Sequence, residues 1–336
     1  MKTKILKINS QKIEPSKIKK AAAVIKKGGL VAFPTETVYG LGADAFNPQA
    51  VAKIFAVKKR PLNDPLIVHI AEKKDIFKVA KEVNKIAYRL IEKFWPGPLT
   101  LVLEKSSLLP EIVTTGLDTV GLRMPSHPVA LSLIREAKTP LAAPSANLFG
   151  KPSPTTARHV WEDLKDKIDL ILDAGKTEIG LESTILDLTR RPFSLLRLGG
   201  ISLEELRKII PEVKLCKGEK VVSPGMFRCH YSPRAKVMVV EEGKHQIEKV
   251  KELAHKFSRK GKKIGIMVKE EDKSKYEKFR IKVLGKGDDF ATCAGNLFSL
   301  LREFDNEGVD LIIVEGIREK GLGRAIMERL RKAQGI

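Results

Sequence analysis

The sequence predicts an α/β protein with two domains: a larger N-terminal domain built on a twisted mixed sheet, and a smaller Rossmann-like α/β domain. The chain has 336 residues, which is enough for two domains of about 100–200 residues each. Hydrophobic residues make up 43% and charged residues 31% of the chain, a composition typical of globular proteins. Short apolar strand patterns alternate with helical patterns in both halves of the sequence, and this alternation predicts the fold class.

The first series of elements ends before residue 213. Apolar residues at helical spacing and capping signals predict the helices, and short apolar runs predict the strands. The predicted helices cover 15–27, 50–59, 83–94 and the stretch from the Ser202 capping box to about Pro211. The predicted strands cover 30–33, 66–70, 99–103, 120–124, 141–143, 168–172, 184–188 and 194–198.

A second series follows a segment rich in turn signals. Ser223-Pro224-Gly225 and Ser232-Pro233 mark this segment as a linker, although it also carries Phe227, His230 and Tyr231. No G-x-G-x-x-G follows the first strand of the second series, so we predict no dinucleotide site there. The predicted strands are 236–240, 263–268 and 309–314, the predicted helices are 246–260, 290–304 and 323–332, and the expected division of the chain is 1–212, 213–234 and 235–336.

The balance of charge is strongly basic. Lys plus Arg number 62 and Asp plus Glu number 41, which gives a formal net charge of +21. Such a charge favours polyanions, either nucleotides or RNA. Lysine clusters such as 17–20 are equally compatible with solvated helix faces, so charge alone leaves the partner open.

No apolar run approaches the roughly 20 residues that a membrane helix needs, so we expect no membrane partner. The basic N-terminus is not followed by an apolar signal core, and we expect a cytoplasmic protein. The three cysteines, Cys216, Cys229 and Cys293, form no C-x-x-C pair. We therefore expect isolated thiols and no zinc site.

A run of small and hydroxyl-bearing residues, Pro34 to Gly42, follows the first predicted strand. Two threonines, a tyrosine and two glycines can place hydroxyl and backbone N–H groups against a ligand at the end of a strand. Thr35 and Thr37 are the candidates for ligand contact. A tight turn without a ligand is the alternative.

Lys58 and Arg60 stand two residues apart at the end of a predicted helix, and Asp64 follows closely. A lysine point charge and the planar fork of an arginine both suit a triphosphate. The alternative is an exposed helix end whose basic residues complement the helix dipole.

Other polar residues stand at predicted strand ends and can grip phosphate or ribose. They are Ser145 and Asn147, with Ser153 close behind, then Ser183 and Arg197.

Arg123 is a charge inside an otherwise apolar strand. A buried arginine needs an anionic partner; a substrate carboxylate would serve, and so would a structural Asp or Glu. His69 ends the apolar run 65–68, where a lone histidine is usually a satisfied core residue.

Several common catalytic motifs are missing. Gly175-Lys176-Thr177 imitates the end of a P-loop, but Leu170 stands where its first glycine is required. The sequence contains neither G-x-S-x-G nor H-E-x-x-H. The Thr, Ser, Asn, Lys and Arg residues at strand ends bind anions and orient small polar ligands, and they do not resemble a covalent nucleophile with its base.

Taken together, these segments resemble the YrdC/YwlC family of threonylcarbamoyl-AMP synthases in its two-domain form. The resemblance covers nearly the whole chain, and the order and spacing of the motifs make it specific. The segments that carry it are 33–42, Lys58-x-Arg60-Pro61, 65–69, 95–100, 123–125, 145–147, 183–185, 197–200, 223–226 and 230–233.

The resemblance implies that L-threonine, bicarbonate or CO2, and ATP are converted to threonylcarbamoyl-AMP and pyrophosphate. A partner enzyme would then transfer the threonylcarbamoyl group to an adenosine of tRNA. The fold implied is a YrdC-like sheet domain followed by the smaller Rossmann-like domain. tRNA itself is a further partner that the charge allows.

The resemblance also implies a role for each matching residue. Lys58 and Arg60 would be catalytic, and the linker with Tyr231 would fold over the cleft. The threonine site would comprise Thr35, Thr37, His69, Arg123, Ala143 and Ser183. The ATP site would comprise Lys58, Arg60, Asp64, Thr119, Ser145, Asn147, Ser153, Arg197, Tyr231 and Arg234. One departure weakens the assignment of Asp64, because this chain reads Asn63-Asp64-Pro65 where many members read Asp-Asn-Pro.

Such a reaction needs positioning and cationic stabilisation of phosphates, and no protein nucleophile. We expect Mg²⁺ to arrive with the triphosphate, since no carboxylate cluster stands out as a metal site, and we expect no organic cofactor.

Two other functions compete with this one. A basic RNA-binding module without catalysis is compatible with the charge, but it does not require hydroxyl residues at strand ends. A carbamoyl-adenylate-forming enzyme of hydrogenase maturation shares a YrdC-like domain, but it also carries zinc-finger segments, and the sequence has no C-x-x-C pair.

Overall fold

A computed structural model describes residues 2–216, 224–225 and 230–335. The chain forms two compact units. The first comprises Met1–Phe149, Pro154–Glu178 and Glu182–Phe227, and the second comprises Gly150–Ser153, Ile179–Leu181 and Arg228–Ile336. Two short segments from the N-terminal part of the chain belong to the second unit, whereas the predicted division placed all of residues 1–212 in the first domain.

The first unit is built on a mixed sheet. Its strands are β1 (Lys4–Lys7), β2 (Val31–Pro34), β3 (Tyr39–Asp44), β4 (Ile67–His69), β5 (Leu99–Glu104), β6 (Thr119–Arg123), β7 (Leu141–Ala142), β8 (Leu170–Asp173), β9 (Thr184–Asp187), β10 (Ser194–Arg197) and β11 (Lys214–Leu215). Within the described residues these eleven strands lie in the order β1-β8-β2-β3-β7-β4-β6-β5-β9-β10-β11. Parallel pairs such as β4 with β6 alternate with antiparallel pairs such as β5 with β6.

Helices accompany this sheet. They are α1 (Pro15–Lys26), α2 (Pro48–Lys58), α3 (Ile76–Val79), α4 (Lys85–Phe94), α5 (Glu111–Thr114), α6 (Pro128–Ala137), α7 (Ala157–Leu164) and α8 (Leu203–Arg207). Residues with hydrogen-bonding side chains cap several of them; Asn47 caps α2, and Ser202 forms the expected capping box with Glu205 at α8.

The central strands are buried on both faces. Leu30 and Ala32 belong to one hydrophobic cluster, whereas Val31 and Phe33 belong to a second cluster. This alternation follows from the two-residue period of a strand. A continuous apolar run was therefore the correct signal for this strand, because neither of its faces meets water.

Residues 39–44 form a strand that was not predicted. The glycines indicated a turn there, but Tyr39–Asp44 forms β3, which pairs antiparallel with β2. A Cβ at Gly42 would lie 2.7 Å from Cε1 of Phe33. The glycine therefore makes room for an aromatic ring on the neighbouring strand, and it does not end the strand.

The second unit contains a parallel sheet. Its elements are β12 (Lys236–Val240), α9 (Gln246–Ser258), β13 (Ile264–Lys269), β14 (Ile281–Gly285), α10 (Phe290–Asn306), β15 (Leu311–Glu315) and α11 (Leu322–Gln334). The strands lie in the order β12-β15-β13-β14, and each neighbouring pair is parallel. The predicted Rossmann-like α/β layer is confirmed, with β14 as an additional strand.

Helices cover both faces of this sheet. Ile264 and Ile266 pack in one cluster with Val250 and Ala254 of α9. Gly265, which points to the other face, would place a Cβ 2.5 Å from Cδ1 of Phe304 in α10. The two helices therefore lie on opposite faces. In the described part of the chain, no helix combines the length and the apolar character needed to cross a membrane.

Candidate active site

Arg123 lies at the centre of the candidate site in the first unit. It ends β6, beside His69 in the parallel register of β4, and it is buried. Its Nε donates to the carbonyl of Gly97 at 3.2 Å, and its Nη1 donates to Oγ1 of Thr37 at 3.0 Å. These contacts fix the orientation of the guanidinium plane.

Glu36 supplies the negative charge beside this arginine. Its Oε1 lies 2.7 Å from Nη2 of Arg123, and each side chain is 4% exposed. Its Oε2 accepts a hydrogen bond from the backbone N–H of Ser126 at 3.1 Å. Of the two partners that the sequence left open for Arg123, the fold itself therefore supplies the structural carboxylate.

The segment between β2 and β3 positions two hydroxyl groups. Oγ1 of Thr35 donates to the carbonyl of Val38 at 2.6 Å and lies 2.7 Å from Oγ1 of Thr37. Since Thr37 accepts from Arg123, the two threonines form a hydrogen-bonded chain that ends on the buried guanidinium. The predicted pair of threonines and Arg123 are thus brought together.

His69 is buried, and its Nδ1 makes no hydrogen bond with any described residue. Burial and the nearby charge of Arg123 lower the pKa of His69 to about 3. The imidazole is therefore neutral near pH 7 and has a nitrogen available to accept a hydrogen bond. This is an environment in which a buried ligand donor would be stabilised.

Ser183 and Arg197 form a second part of the site. Nε of Arg197 donates to the carbonyl of Ser183 at 3.0 Å, and its Nη2 donates to the hydroxyl of the same residue at 3.1 Å. The Ser183 hydroxyl also lies 2.8 Å from Oγ1 of Thr100. Nη1 of Arg197 donates to the carbonyl of Pro224 at 3.3 Å, so this arginine connects the sheet to a residue of the predicted linker.

Lys58 ends α2 and is buried. Its Nζ donates to the carbonyl oxygens of Ser145 and Asn147, at 2.6 Å and 2.5 Å. The lysine therefore holds the segment after β7 against the end of α2. The alternative of an exposed helix end is wrong for Lys58, because this charge is directed into the protein.

Arg60 and Asp64 form a buried ion pair, with Nη2 of the arginine 2.9 Å from Oδ2 of the aspartate. Burial raises the pKa of Asp64, while Arg60, Lys58 and Arg197 act in the opposite direction. Because all three cations lower the pKa of the same carboxylate, these predicted phosphate-binding residues lie near one another. The guanidinium also donates to the carbonyls of Asp64 and Pro65.

A small depression adjoins these groups in the first unit. Thr119 lines it together with Ile67, Thr100, Ile185 and Pro224. The backbone N–H of Ala143 donates to the carbonyl of Ile67 at 2.9 Å, which places this predicted threonine-site residue beside the same strand.

Three predicted ATP-site residues, Ser153, Tyr231 and Arg234, belong to the second unit. Tyr231 is buried, stacks on Phe298 at 5.4 Å between ring centroids, and lies 5.0 Å from the guanidinium carbon of Arg329. The backbone N–H of Arg234 and its guanidinium both donate to Asp305. Their assignment to nucleotide remains a prediction. Ser223, Met226, Phe227 and Cys229 lie outside the described residues.

The described cysteines differ in exposure. Cys216 is exposed, whereas Cys293 is buried and burial raises its pKa to about 12. Among the described residues, no three His, Cys, Asp or Glu side chains are grouped so that they can hold a metal ion.

Comparison with known proteins decides the family. Residues 23–199 match the Sua5/YciO/YrdC family model, described as "Telomere recombination". The chain belongs to this family. Residues 201–335 match a second model, described as the C-terminal domain of threonylcarbamoyl-AMP synthase.

Two relatives of this Sua5/YciO/YrdC member are similar over nearly their full length. A protein of Pyrococcus abyssi named threonylcarbamoyl-AMP synthase is 49% identical, over 97% of this chain and 96% of its own length. A protein of Bacillus subtilis with the same name is 44% identical, over 95% and 93% respectively. The crystal structure of P. abyssi Sua5 complexed with L-threonine has a TM-score of 0.94 at 48% identity, covering 99% of this chain and 98% of that one. The resemblance, the fold class and the nucleotidyltransferase class are thereby confirmed.

Two residues of the site in this Sua5/YciO/YrdC protein had no predicted role. Glu36 neutralises Arg123, and Thr100 bonds Ser183. Both stand inside segments that carried the family resemblance. Their partners are distant in sequence, however, so no spacing rule connects them.

Proposed function

We propose that this protein is an L-threonylcarbamoyladenylate synthase, which makes threonylcarbamoyl-AMP and pyrophosphate from L-threonine, bicarbonate or CO2, and ATP. The observation that carries the proposal is the buried cluster of Thr35, Thr37, His69 and Arg123 in a fold that matches a threonine-bound relative. The carbamoyl-adenylate-forming alternative has no such support from the named relatives.

The threonine end of the site offers matched chemistry. Arg123 has five N–H donors, and the fold uses those described above for Gly97, Thr37 and Glu36. The remaining donors can bind the threonine carboxylate. The neutral His69 can accept a hydrogen bond from threonine, with Ala143 and the Ser183 hydroxyl as the other expected contacts.

The nucleotide end combines the cations around Asp64. Arg60 and Arg197 present guanidinium groups, and Lys58 adds a point charge that also fixes the backbone at Ser145 and Asn147. Such a set can stabilise the charge that develops on the phosphates. In this proposal Thr119, Ser145 and Asn147 also contact the nucleotide.

The reaction then needs positioning. The neutral amine of threonine attacks CO2, a C–N bond forms, the nitrogen loses one proton, and a carbamate results. A carbamate oxygen attacks the α-phosphorus, and the bond between that phosphorus and the α,β-bridging oxygen breaks as pyrophosphate leaves. Each step joins two bound groups, so alignment supplies much of the acceleration.

Magnesium belongs to this proposal as part of the MgATP substrate. A transferase partner would consume the adenylate, and tRNA would be the final acceptor. These partners and the expected cytoplasmic location extend the proposal.

Pyrophosphate release tests the function. We expect release from the purified protein only when ATP, L-threonine and bicarbonate are all present, and we expect threonylcarbamoyl-AMP in equal amount by mass spectrometry. Release that continues at the full rate without threonine would contradict the proposal. Lys58→Ala and Arg60→Ala should weaken ATP binding and largely preserve threonine binding, so an equal loss of both would count against the assignment of the nucleotide end.

A further inference from the structure

The second unit contains a cavity of about 800 Å³ that plays no part in the proposed synthase site. We call it the carboxyl-edge cavity. It is lined by Glu242 after β12, Glu270 after β13, Lys286 after β14 and Arg318 after β15. The cavity therefore lies at the carboxyl ends of all four parallel strands.

The topology explains why a cavity forms at this edge. The chain passes from β12 through α9 to β13, and it returns from β14 through α10 to β15. The two connections run in opposite directions, and α9 and α10 lie on opposite faces of the sheet, as the contacts of Ile266 and Gly265 show. Ligands of open α/β sheets bind outside the carboxyl ends of the strands, which is where this cavity lies.

The charged groups around the cavity are incompletely paired. Lys286 and Lys320 are exposed and form no ion pair with any described residue. Glu270, which also lines the cavity, has no ion pair within the described residues either. Arg318 lies 3.9 Å from Glu242, in a pair that is largely exposed and therefore weak. Lys269, Glu271 and Asp288 line the cavity as well, so its lining holds four basic and four acidic residues. The cavity thus presents cations for an anionic ligand and carboxylates that can accept hydrogen bonds.

An aromatic ring and a close backbone approach complete the wall. Phe290 is half-buried and begins α10. A Cβ at Gly323 would lie 2.9 Å from Cε1 of Phe290, so the ring lies against the first turn of α11. Gly321, which also lines the cavity, has a φ of +54° that favours glycine.

These groups together indicate the chemistry of a ligand. Lysines suit phosphate, a carboxylate suits ribose hydroxyls, and an aromatic ring suits a nucleobase. A bound metal ion is disfavoured, because the described residues contain no convergent group of three acidic or His/Cys ligands. The volume is within the range of small-molecule sites, about 300–1,000 Å³.

We propose that the carboxyl-edge cavity binds a nucleoside phosphate, with its phosphates on Lys286 and Lys320, its ribose near Glu270 and its base against Phe290. This site is separate from the nucleotide end of the proposed synthase site. The proposal does not depend on the synthase activity.

Equilibrium dialysis of the full-length protein with labelled ADP, GDP, CDP and UDP tests the site. Binding is measured in the Lys58→Ala/Arg60→Ala variant, which removes the contribution of the first unit. In parallel, the number of nucleotides bound per molecule is measured in the unsubstituted protein. We expect one nucleoside diphosphate to remain bound in the double variant. Adding Lys286→Ala and Lys320→Ala should weaken that binding at least about tenfold.

Two controls separate the cavity from general charge. Lys273→Ala/Lys278→Ala removes the same charge from exposed positions of the second unit that do not line the cavity, and it should leave binding unchanged. Phe290→Leu keeps apolar volume but removes the ring, and it should weaken nucleotide binding about tenfold while binding of inorganic pyrophosphate persists.

Three results would overturn the proposal. The first is that none of the four nucleotides binds outside the first unit. The second is equal binding in the cavity and control lysine variants. The third is pyrophosphate that binds as tightly as the nucleotides while Phe290→Leu has no effect, which would mean a simple anion site.

Discussion

At the scale of single residues, Arg123 carries a buried positive charge whose counterion is provided by the fold. Glu36 lies at 2.7 Å, and both side chains are 4% exposed. Removing one member of a buried pair leaves a desolvated charge without compensation, which typically costs about 3–5 kcal/mol. The pair is therefore a structural requirement of the site as well as a part of its electrostatics.

Glu36→Gln should lower the free energy of unfolding by about 3 kcal/mol, measured by urea denaturation. Glu104→Gln is the matched control, because its pair with Lys81 is 3.6 Å long and both side chains are more than half exposed. That control should change stability by less than about 1 kcal/mol. Equal effects of the two substitutions would show that Arg123 is neutralised by another group.

The neutral state of His69 has a consequence for pH dependence. Its folded-state pKa is about 3, below the value of about 6.5 for an unfolded chain. Between these values the unfolded chain binds a proton that the folded protein does not. The contribution of His69 to the free energy of unfolding is therefore fully present above about pH 6.5 and is lost as the pH falls toward 3.

For this residue alone, the loss between pH 7.5 and pH 5 should be about 2 kcal/mol. We expect His69→Gln to flatten the pH dependence of the unfolding free energy by that amount, with urea denaturation as the measurement. The partly buried His127, whose pKa burial also lowers, is present in both proteins and cancels in the comparison. Identical pH profiles would contradict a neutral His69.

At the scale of elements, the close approach of the turn after β10 to the start of β9 determines the position of Ser183. A Cβ at Gly199 would lie 2.5 Å from the backbone carbon of Ser183 and would also clash with the carbonyl of Glu182. These are backbone atoms, which cannot rotate away as a flexible side chain would. The glycine is therefore required by packing between neighbouring chain segments.

Gly199→Ala should destabilise the protein by about 2 kcal/mol and weaken threonine binding, because it displaces Ser183 from Arg197 and Thr100. Calorimetric titration with L-threonine and urea denaturation would measure the two effects. Gly243→Ala is the control, since a Cβ at Gly243 would meet no atom within 4 Å and its φ is not in the left-handed range. A tolerated Gly199→Ala would show that the two segments can separate without cost.

The elements around the site show which parts of the fold could be predicted from the sequence alone. Apolar periodicity was sufficient for β2, β4 and β6 and for the helices that carry Lys58 and the capping box, since these signals are local. It missed β3, because Gly40 and Gly42 read as turn residues until Phe33 is placed against them. It also missed α6 and α7, to which no element was assigned.

The candidate site also combines local signals with contacts that are distant in sequence. Local sequence indicated Thr35 and Ser183 beside strands, Arg60 near a helix end, and Arg123 as a charge inside an apolar strand. The direction of each side chain depends on partners far away: Lys58 bonds carbonyls 87 and 89 residues later, and Arg123 bonds a threonine 86 residues earlier. Only the folded sheet brings such partners together, which is why Glu36 and Thr100 had no assigned role.

At the scale of the whole molecule, the chain carries two cores and a large positive charge. Separate hydrophobic clusters stabilise the first unit and the second. The net charge of +21 belongs to the whole chain and not to one site. Exposed charges of one sign attract polyanions that come within about a Debye length, roughly 8 Å at physiological salt. The basic composition therefore predicts association with polyanions, of which tRNA is the proposed example.

If tRNA binds through the net charge, its binding should depend on salt and sequence differently from binding at a specific recognition site. Binding by phosphate neutralisation releases counterions, so it weakens steeply with salt and does not depend on sequence. We expect filter binding to show tRNA association that falls more than about a hundredfold between roughly 50 and 200 mM KCl. We expect the same slope for tRNA that lacks the target adenosine.

Binding that resists salt, or that requires the target adenosine, would mean that the protein recognises tRNA directly and that its charge is not the main determinant of binding. Absence of binding at the lower salt concentration would instead assign the lysines to solvated helix faces.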